Sequence, residues 1–108
     1  MIDMDEIIAY KLANDVAAME NVLACYILED GEVIHVEEKK DFNDMAVIST
    51  ALIAELCEEY ESARLKFSSF KAVIVRYGDS DVVIFFEKNT PYATVISGVM
   101  EIISEVSL

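Results

Sequence analysis

Apolar residues at Met4, Ile8, Leu12, Val16 and Met19 recur in steps of four or three, which puts them on one face of a helix. Asp3 stands at the cap position with Glu6 three residues later, a capping-box spacing, and predicts a first helix running to about Glu20. At Val22 the period changes. Val22-Leu23-Ala24-Cys25-Tyr26-Ile27-Leu28 is apolar on both alternating sets, as a strand covered on both faces would be, so a central position is expected for it. Asp30-Gly31 then leads into the shorter and more polar Val33-Ile34-His35-Val36. Asp-Gly between β-rich runs predicts a type I′ hairpin, because that turn needs positive φ at both central residues, and the polar second strand suits an edge.

Asp41 to about Ala63 reads as the longest helix, entered through Asp41 and Asp44, whose negative charge complements the positive helix end. At 100° per residue, Phe42, Met45, Ile48, Leu52, Leu56 and Tyr60, joined by Ala46, Ile53 and Cys57, cover an arc of roughly 180°. A helix resting on one sheet needs little more than about 100°, so the surplus meets either another element of this chain or another chain. Phe70–Arg76, Val82–Glu87 and Tyr92–Ser97 follow as three strands of an antiparallel meander, their turns built from Gly, Asp, Asn and Pro. Val82-Val83-Ile84-Phe85-Phe86 marks the buried middle strand. Gly98–Val106 closes the chain as a helix capped by Ser97, with Val99, Ile102, Ile103 and Val106 inward. The order is α-β-β-α-β-β-β-α.

Composition narrows the class. With 108 residues, 55% hydrophobic, 3 Gly and 1 Pro, the chain is one folded domain over residues 1–108, and disordered or collagen-like classes are excluded. Its formal charge of −13 repels polyanions, and the single basic pair, Lys39-Lys40, is flanked by Glu37, Glu38 and Asp41. Nucleic acids and anionic lipid surfaces are therefore excluded as principal partners. The acidity serves either solubility or attraction of a protein with a basic patch. The opening Met1-Ile2-Asp3-Met4-Asp5-Glu6 lacks a basic leader, and the apolar runs fall short of the roughly 18 residues of a membrane span, so a cytoplasmic protein is expected.

Candidate chemistry is sparse. Cys25 and Cys57 form no Cys-x-x-Cys pattern and read as reduced, buried thiols on apolar faces. His35 is the only histidine and reads as a solvated edge residue rather than a general base. The isolated glycines form no phosphate-cradling loop. The acidic groups Asp3-Asp5-Glu6, Glu37-Glu38, Glu58-Glu59-Glu61 and Asp79 with Asp81 do not fit a calcium loop and read as solvated faces and turns. Tyr26, Phe85, Phe86 and Tyr92 read as core aromatics on central strands. No catalytic, cofactor-binding or metal residue is assigned, and no enzyme is expected.

The element order, with the apolar strand Val22–Leu28 leading into Glu29-Asp30-Gly31-Glu32-Val33-Ile34, resembles the roadblock (dynein light chain) family over nearly the whole chain. The resemblance implies an α+β sandwich in which a five-stranded antiparallel sheet carries the long second helix on one face and the terminal helices on the other. It also implies a homodimer or heterodimer in which the third strand, Phe70–Arg76, pairs across a twofold axis and the second helices pack side by side. The interface would then comprise Met45, Ile48, Ser49, Leu52, Phe70, Ala72, Val73, Ile74 and Val75. The function implied is that of a non-catalytic dimeric platform that scaffolds or regulates a small Ras-like GTPase, without a cofactor. The alternative is a small-ligand sensor of the related profilin-like or longin-like layout.

Overall fold

The computed structural model describes residues 6–106. Its elements run α1 (Glu6–Ala17), β1 (Val22–Glu29), β2 (Glu32–Glu38), α2 (Asn43–Leu56), β3 (Ser62–Lys66), β4 (Phe70–Tyr77), β5 (Ser80–Glu87) and α3 (Tyr92–Val106). Asp30 and Gly31 take φ values of 51° and 78°, the left-handed pair that a type I′ turn requires, and this turn folds β2 back along β1. Ile27 lies opposite His35 and Leu28 opposite Val33, so Ile34 is the extra residue of a bulge on the edge strand.

The sheet is antiparallel throughout, in the order β2-β1-β5-β4-β3. β5 holds the centre, and every residue from Ser80 to Phe86 is buried, as its unbroken β-branched and aromatic run demands. Alternate residues serve two cores. On one face Leu12 and Val16 of α1 and Val95 and Val99 of α3 cover Cys25, Ile27, Val73, Ile84 and Phe86. On the other, Phe42 and Ala46 lie over Ala24, Tyr26, Leu28, Ala72, Ile74 and Phe85. The Phe42 and Phe85 rings stack with centroids 4.5 Å apart at an interplanar angle of 6°. The result is the five-stranded α+β sandwich expected, with α2 the one helix on its face among the described residues.

Several boundaries differ from the sequence reading. α1 ends at Ala17 rather than Glu20, because the chain turns at Asn21 with a φ of 69°. The expected cap Asp3 and apolar Met4 lie outside the described residues. α2 stops at Leu56 rather than Ala63, since Cys57 is extended, with φ −138° and ψ 119°. Asp41 does serve the helix entry, its carboxylate accepting the Asn43 N–H at 2.9 Å. The residues beyond Cys57 supply a strand not anticipated, β3, so Phe70–Tyr77 is the fourth strand and not the third.

The expected strand Tyr92–Ser97 is instead the first half of α3. The helix opens behind Pro91, whose carbonyl accepts the Val95 N–H at 3.5 Å, and Ser97 is an exposed helical residue rather than a cap. Val99 is buried as expected and Ile102 and Ile103 pack on the same core. Gly98 lies inside the helix against the tip of Met19, in the space a methyl group would take. The count of elements thus agrees with the expected order, while Ser62–Lys66 enters as the third strand, the expected third and fourth strands become β4 and β5, and the expected fifth is helical.

Candidate interaction surface

The surface is set by how α2 meets the sheet. Its fully buried residues, Ala46, Ser49 and Thr50, are all small, and the half-buried Met45, Val47 and Ile53 complete its seat on the core. Thr50 is tolerated there because its hydroxyl donates to the carbonyls of Ala46 and Val47, both at 3.0 Å. Three large residues point away: Ile48, Leu52 and Leu56 are 64%, 54% and 71% exposed. Spaced four apart, they form one apolar stripe along the outer side of the helix. This is the surplus arc that the sequence pattern detected, and among the described residues no element of the chain covers it.

Of the interface residues the roadblock resemblance implied, Ile48 and Leu52 lie on this stripe and Met45 is half-buried at its margin, whereas Ser49 faces the sheet. The strand residues stand elsewhere. Ala72, Val73, Ile74 and Val75 are buried in β4, which is hydrogen-bonded to β5 on one side and to β3 on the other, and Phe70 is half-buried at its start. β4 therefore has no free edge with which to cross a twofold axis. That role cannot fall to Phe70–Val75, and the free edge on this side of the sheet belongs to β3.

Around the β4–β5 turn, Asp81 organises a polar network. Its Oδ1 accepts from Arg76 Nη1 at 2.9 Å and from the Tyr60 hydroxyl at 2.7 Å, and the Arg76 guanidinium lies over the Tyr60 ring at 5.7 Å. Burial would lower the Arg76 pKa, but the Asp81 charge outweighs it and the net shift is upward. A cleft of about 610 Å³ adjoins the network between α2 and the two turns, lined by Glu29, Asp30, Glu55, Arg76, Asp79 and Asp81 among others. Its rim is mainly acidic.

Burial, then the hydrogen bond to Asp81, pushes the Tyr60 hydroxyl from 10.0 to about 12. A raised folded-state value means that the folded protein holds its proton where the unfolded chain has lost it. The stability so gained is complete below pH 10 and is lost as pH rises from 10 to 12. We expect urea midpoints to fall more steeply over that interval for the native chain than for Tyr60→Phe. Parallel profiles would refute the assignment.

Cys25 is buried in the α1/α3 core, where burial and then Glu37 push its thiol up. Cys57 is exposed just past α2, so the expectation of two sheltered thiols holds for Cys25 and fails for Cys57, which the truncated helix no longer carries inward. His35 is half-buried on the edge strand, edge-on to the Tyr10 ring, with Nε2 3.6 Å from Glu37 Oε1 and lacking a hydrogen-bond partner among the described residues. Tyr26 does more than fill the core. Its hydroxyl donates to the Glu38 carboxylate and accepts the Phe42 N–H at 2.7 Å, tying the end of β2 to the start of α2. Tyr92, expected on a central strand, lies in α3 against Phe86. Among the described residues no helix is long and apolar enough to cross a membrane.

A five-stranded antiparallel sheet with one helix alone on one face and two on the other is a roadblock-type fold, and comparison with solved structures bears this out. MglB of Myxococcus xanthus superposes with a TM-score of 0.75 at 13% identity, covering 99% of this chain and 92% of that one. A Roadblock/LC7 domain from Streptomyces avermitilis gives 0.67 at 12%, over 91% of this chain and 92% of its own. The gliding protein MglB from Thermus thermophilus gives 0.72 at 11%, over 98% and 93%. No protein-family model and no curated protein sequence matches the chain.

Proposed function

We propose that this chain is a non-catalytic, dimeric interaction module that scaffolds or regulates a small Ras-like GTPase. The observation that carries the reading is the outward stripe Ile48, Leu52 and Leu56 on a roadblock-type fold. An exposed apolar row on a helix that has no second neighbour is a surface built to be covered, and in a closed twofold pair each copy's stripe covers the other's. The structural likeness to MglB, one example of which was solved in a tetrameric arrangement, supports self-association. The GTPase partner rests on the roadblock resemblance. The charge of −13 suits a partner with a basic patch, which it would draw in by long-range attraction.

The test is direct association of the chain with each Ras-like GTPase of its source organism, in both nucleotide states, at tens of micromolar. Binding is expected in at least one state, with an association rate that falls as salt rises and a dissociation rate that changes less. No binding in either state would sink the proposal. A stimulation of hydrolysis abolished by Arg64→Ala or Arg76→Ala would replace a scaffold with an arginine-finger activator. The second reading, a small-ligand sensor, is favoured by the cleft beside Asp81. It ranks lower because six of the ten residues that line the cleft are charged, whereas most small-molecule sites carry only a few polar groups.

A further inference from the structure

A groove runs between α1 and the edge strand β2, lined by Glu6, Ala9, Tyr10, Ile34 and His35. It holds about 450 Å³, within the size range of ligand clefts, about 300–1,000 Å³. Tyr10 and Ile34 are large apolar residues left 55% and 44% exposed, and Ile7, exposed three residues before Tyr10 on the helix, extends their rim. Ile34 reaches the groove because it is the extra residue of the β2 bulge: Leu28 pairs with Val33 and Ile27 with His35, which frees Ile34 from the ladder.

The polar groups here are unmatched. His35 Nε2 is the one buried side-chain nitrogen or oxygen among the described residues without a hydrogen-bond partner, and such an atom costs stability until something bonds to it. It lies 3.6 Å from Glu37 Oε1, too far for a hydrogen bond, and the His35 ring meets the Tyr10 ring edge-on at 5.5 Å. Glu37 shares this face because it pairs with Cys25, whose side chain is in the α1/α3 core, and Glu6 faces the groove from the helix. Among the described residues no Lys or Arg pairs with either carboxylate.

We propose that this groove receives an arginine flanked by aliphatic residues, presented by a protein partner. Arginine suits the set better than lysine. Its planar guanidinium lies against the Tyr10 ring, its N–H edges address Glu6 and Glu37, and a further N–H meets His35 Nε2, which is an acceptor in the Nδ1–H tautomer. The neighbouring aliphatic side chains cover Ile7 and Ile34. A second copy of this chain is the poorer occupant, because it also carries a charge of −13 and, of its two arginines, Arg76 is held by Asp81. The groove lies on β2, at the other end of the sheet from β3 and on the other face from α2. It therefore stays open when copies pair through β3 or α2, and the inference stands whether or not the partner is a GTPase.

The test follows the backbone amide shifts of the full chain by NMR as short peptides are added. One carries Val-Arg-Leu at its centre among Gly and Ser, and the others replace Arg by citrulline, Arg by Lys, or Val and Leu by Ser. The arginine peptide is expected to bind saturably, moving the amides of Tyr10, Ile34 and His35 while those of α2 stay in place. Citrulline, which keeps the shape and loses the charge, should bind at least about tenfold more weakly, and the lysine and serine forms roughly threefold. Tyr10→Leu and Glu37→Gln should each weaken the arginine peptide about threefold or more, with circular dichroism and oligomeric state unchanged. Equal binding of the arginine and citrulline peptides would overturn the proposal, and shifts centred on the acidic cleft beside Asp81 would do the same by reducing the effect to bulk attraction. So would an absence of saturable binding by the full chain, including the case in which removal of residues 1–5 restores it and the chain's own start is the occupant.

Discussion

Ile48→Asp is expected to convert a species of twice 12.1 kDa into one of 12.1 kDa in light scattering at tens of micromolar, with little change in the fold of the single chain. The two halves of that expectation have different physical sources. Within one chain Ile48 is 64% exposed, and surface substitutions usually change stability by no more than about 0.5 kcal/mol. Across a twofold interface the substitution acts twice, setting a carboxylate into the apolar stripe of each partner, and removing one charge from water without a counter-ion is costly. A rise of roughly 100-fold in the dissociation constant, about 2.8 kcal/mol, is the scale of an interface hot spot. Leu52→Asp should act alike, and Glu55→Gln, on the exposed side of the same helix, should not. A native chain that scatters as a monomer throughout would remove the dimer from the proposed function.

Phe85→Ala is expected to come close to unfolding the protein. Phe85 is fully buried on the central strand, stacked on Phe42 and edge-on to Tyr26 and Phe70, with ring centroids 5.8 and 5.9 Å away for the latter two. Emptying such a site costs about 3–5 kcal/mol, a large part of the roughly 5–15 kcal/mol that holds a domain of this size together. The melting temperature should fall on the order of 15 °C or more. Phe67→Ala is the control: its ring is half-buried and stacks on Phe70 at the sheet margin, so the loss should be much smaller. Equal losses at the two positions would mean that the Phe42–Phe85 layer is not the centre of this core.

The residues most legible in the sequence were those whose local chemistry and tertiary surroundings agreed. Asp30-Gly31 is a turn wherever it occurs between two β-rich runs, and Val82–Phe86 admits no position but a buried strand. The failures came where local preference and final position diverge. Ser62-Ala63-Arg64-Leu65-Lys66 is rich in good helix formers and continues the apolar spacing of α2, yet it forms a strand because β4 offers it a ladder. Tyr92-Ala93-Thr94-Val95-Ile96-Ser97 has the β-branched content of a strand, and only Pro91 before it hinted at a helix start. The α2 stripe was visible as a surplus of apolar residues, since amphipathic width is a local property. The groove between α1 and β2 was not, because Tyr10 and His35 meet only when helix and edge strand pack.

The small size of the fully buried residues of α2 also makes the helix easier to open than the central strand. A helix whose fully buried residues are Ala46, Ser49 and Thr50, with Met45, Val47 and Ile53 only half-buried, gives up less buried surface on lifting away than β5 would, so amide exchange along Val47–Leu56 should run faster than in β5, with the Tyr26 hydroxyl slowing only the first turn. Whatever seats itself on Ile48, Leu52 and Leu56 must hold that helix down, and by mass action its occupancy adds to the opening free energy. The helix is thus a built-in gauge of assembly, whose exchange rate falls as the interface fills while that of the central strand does not.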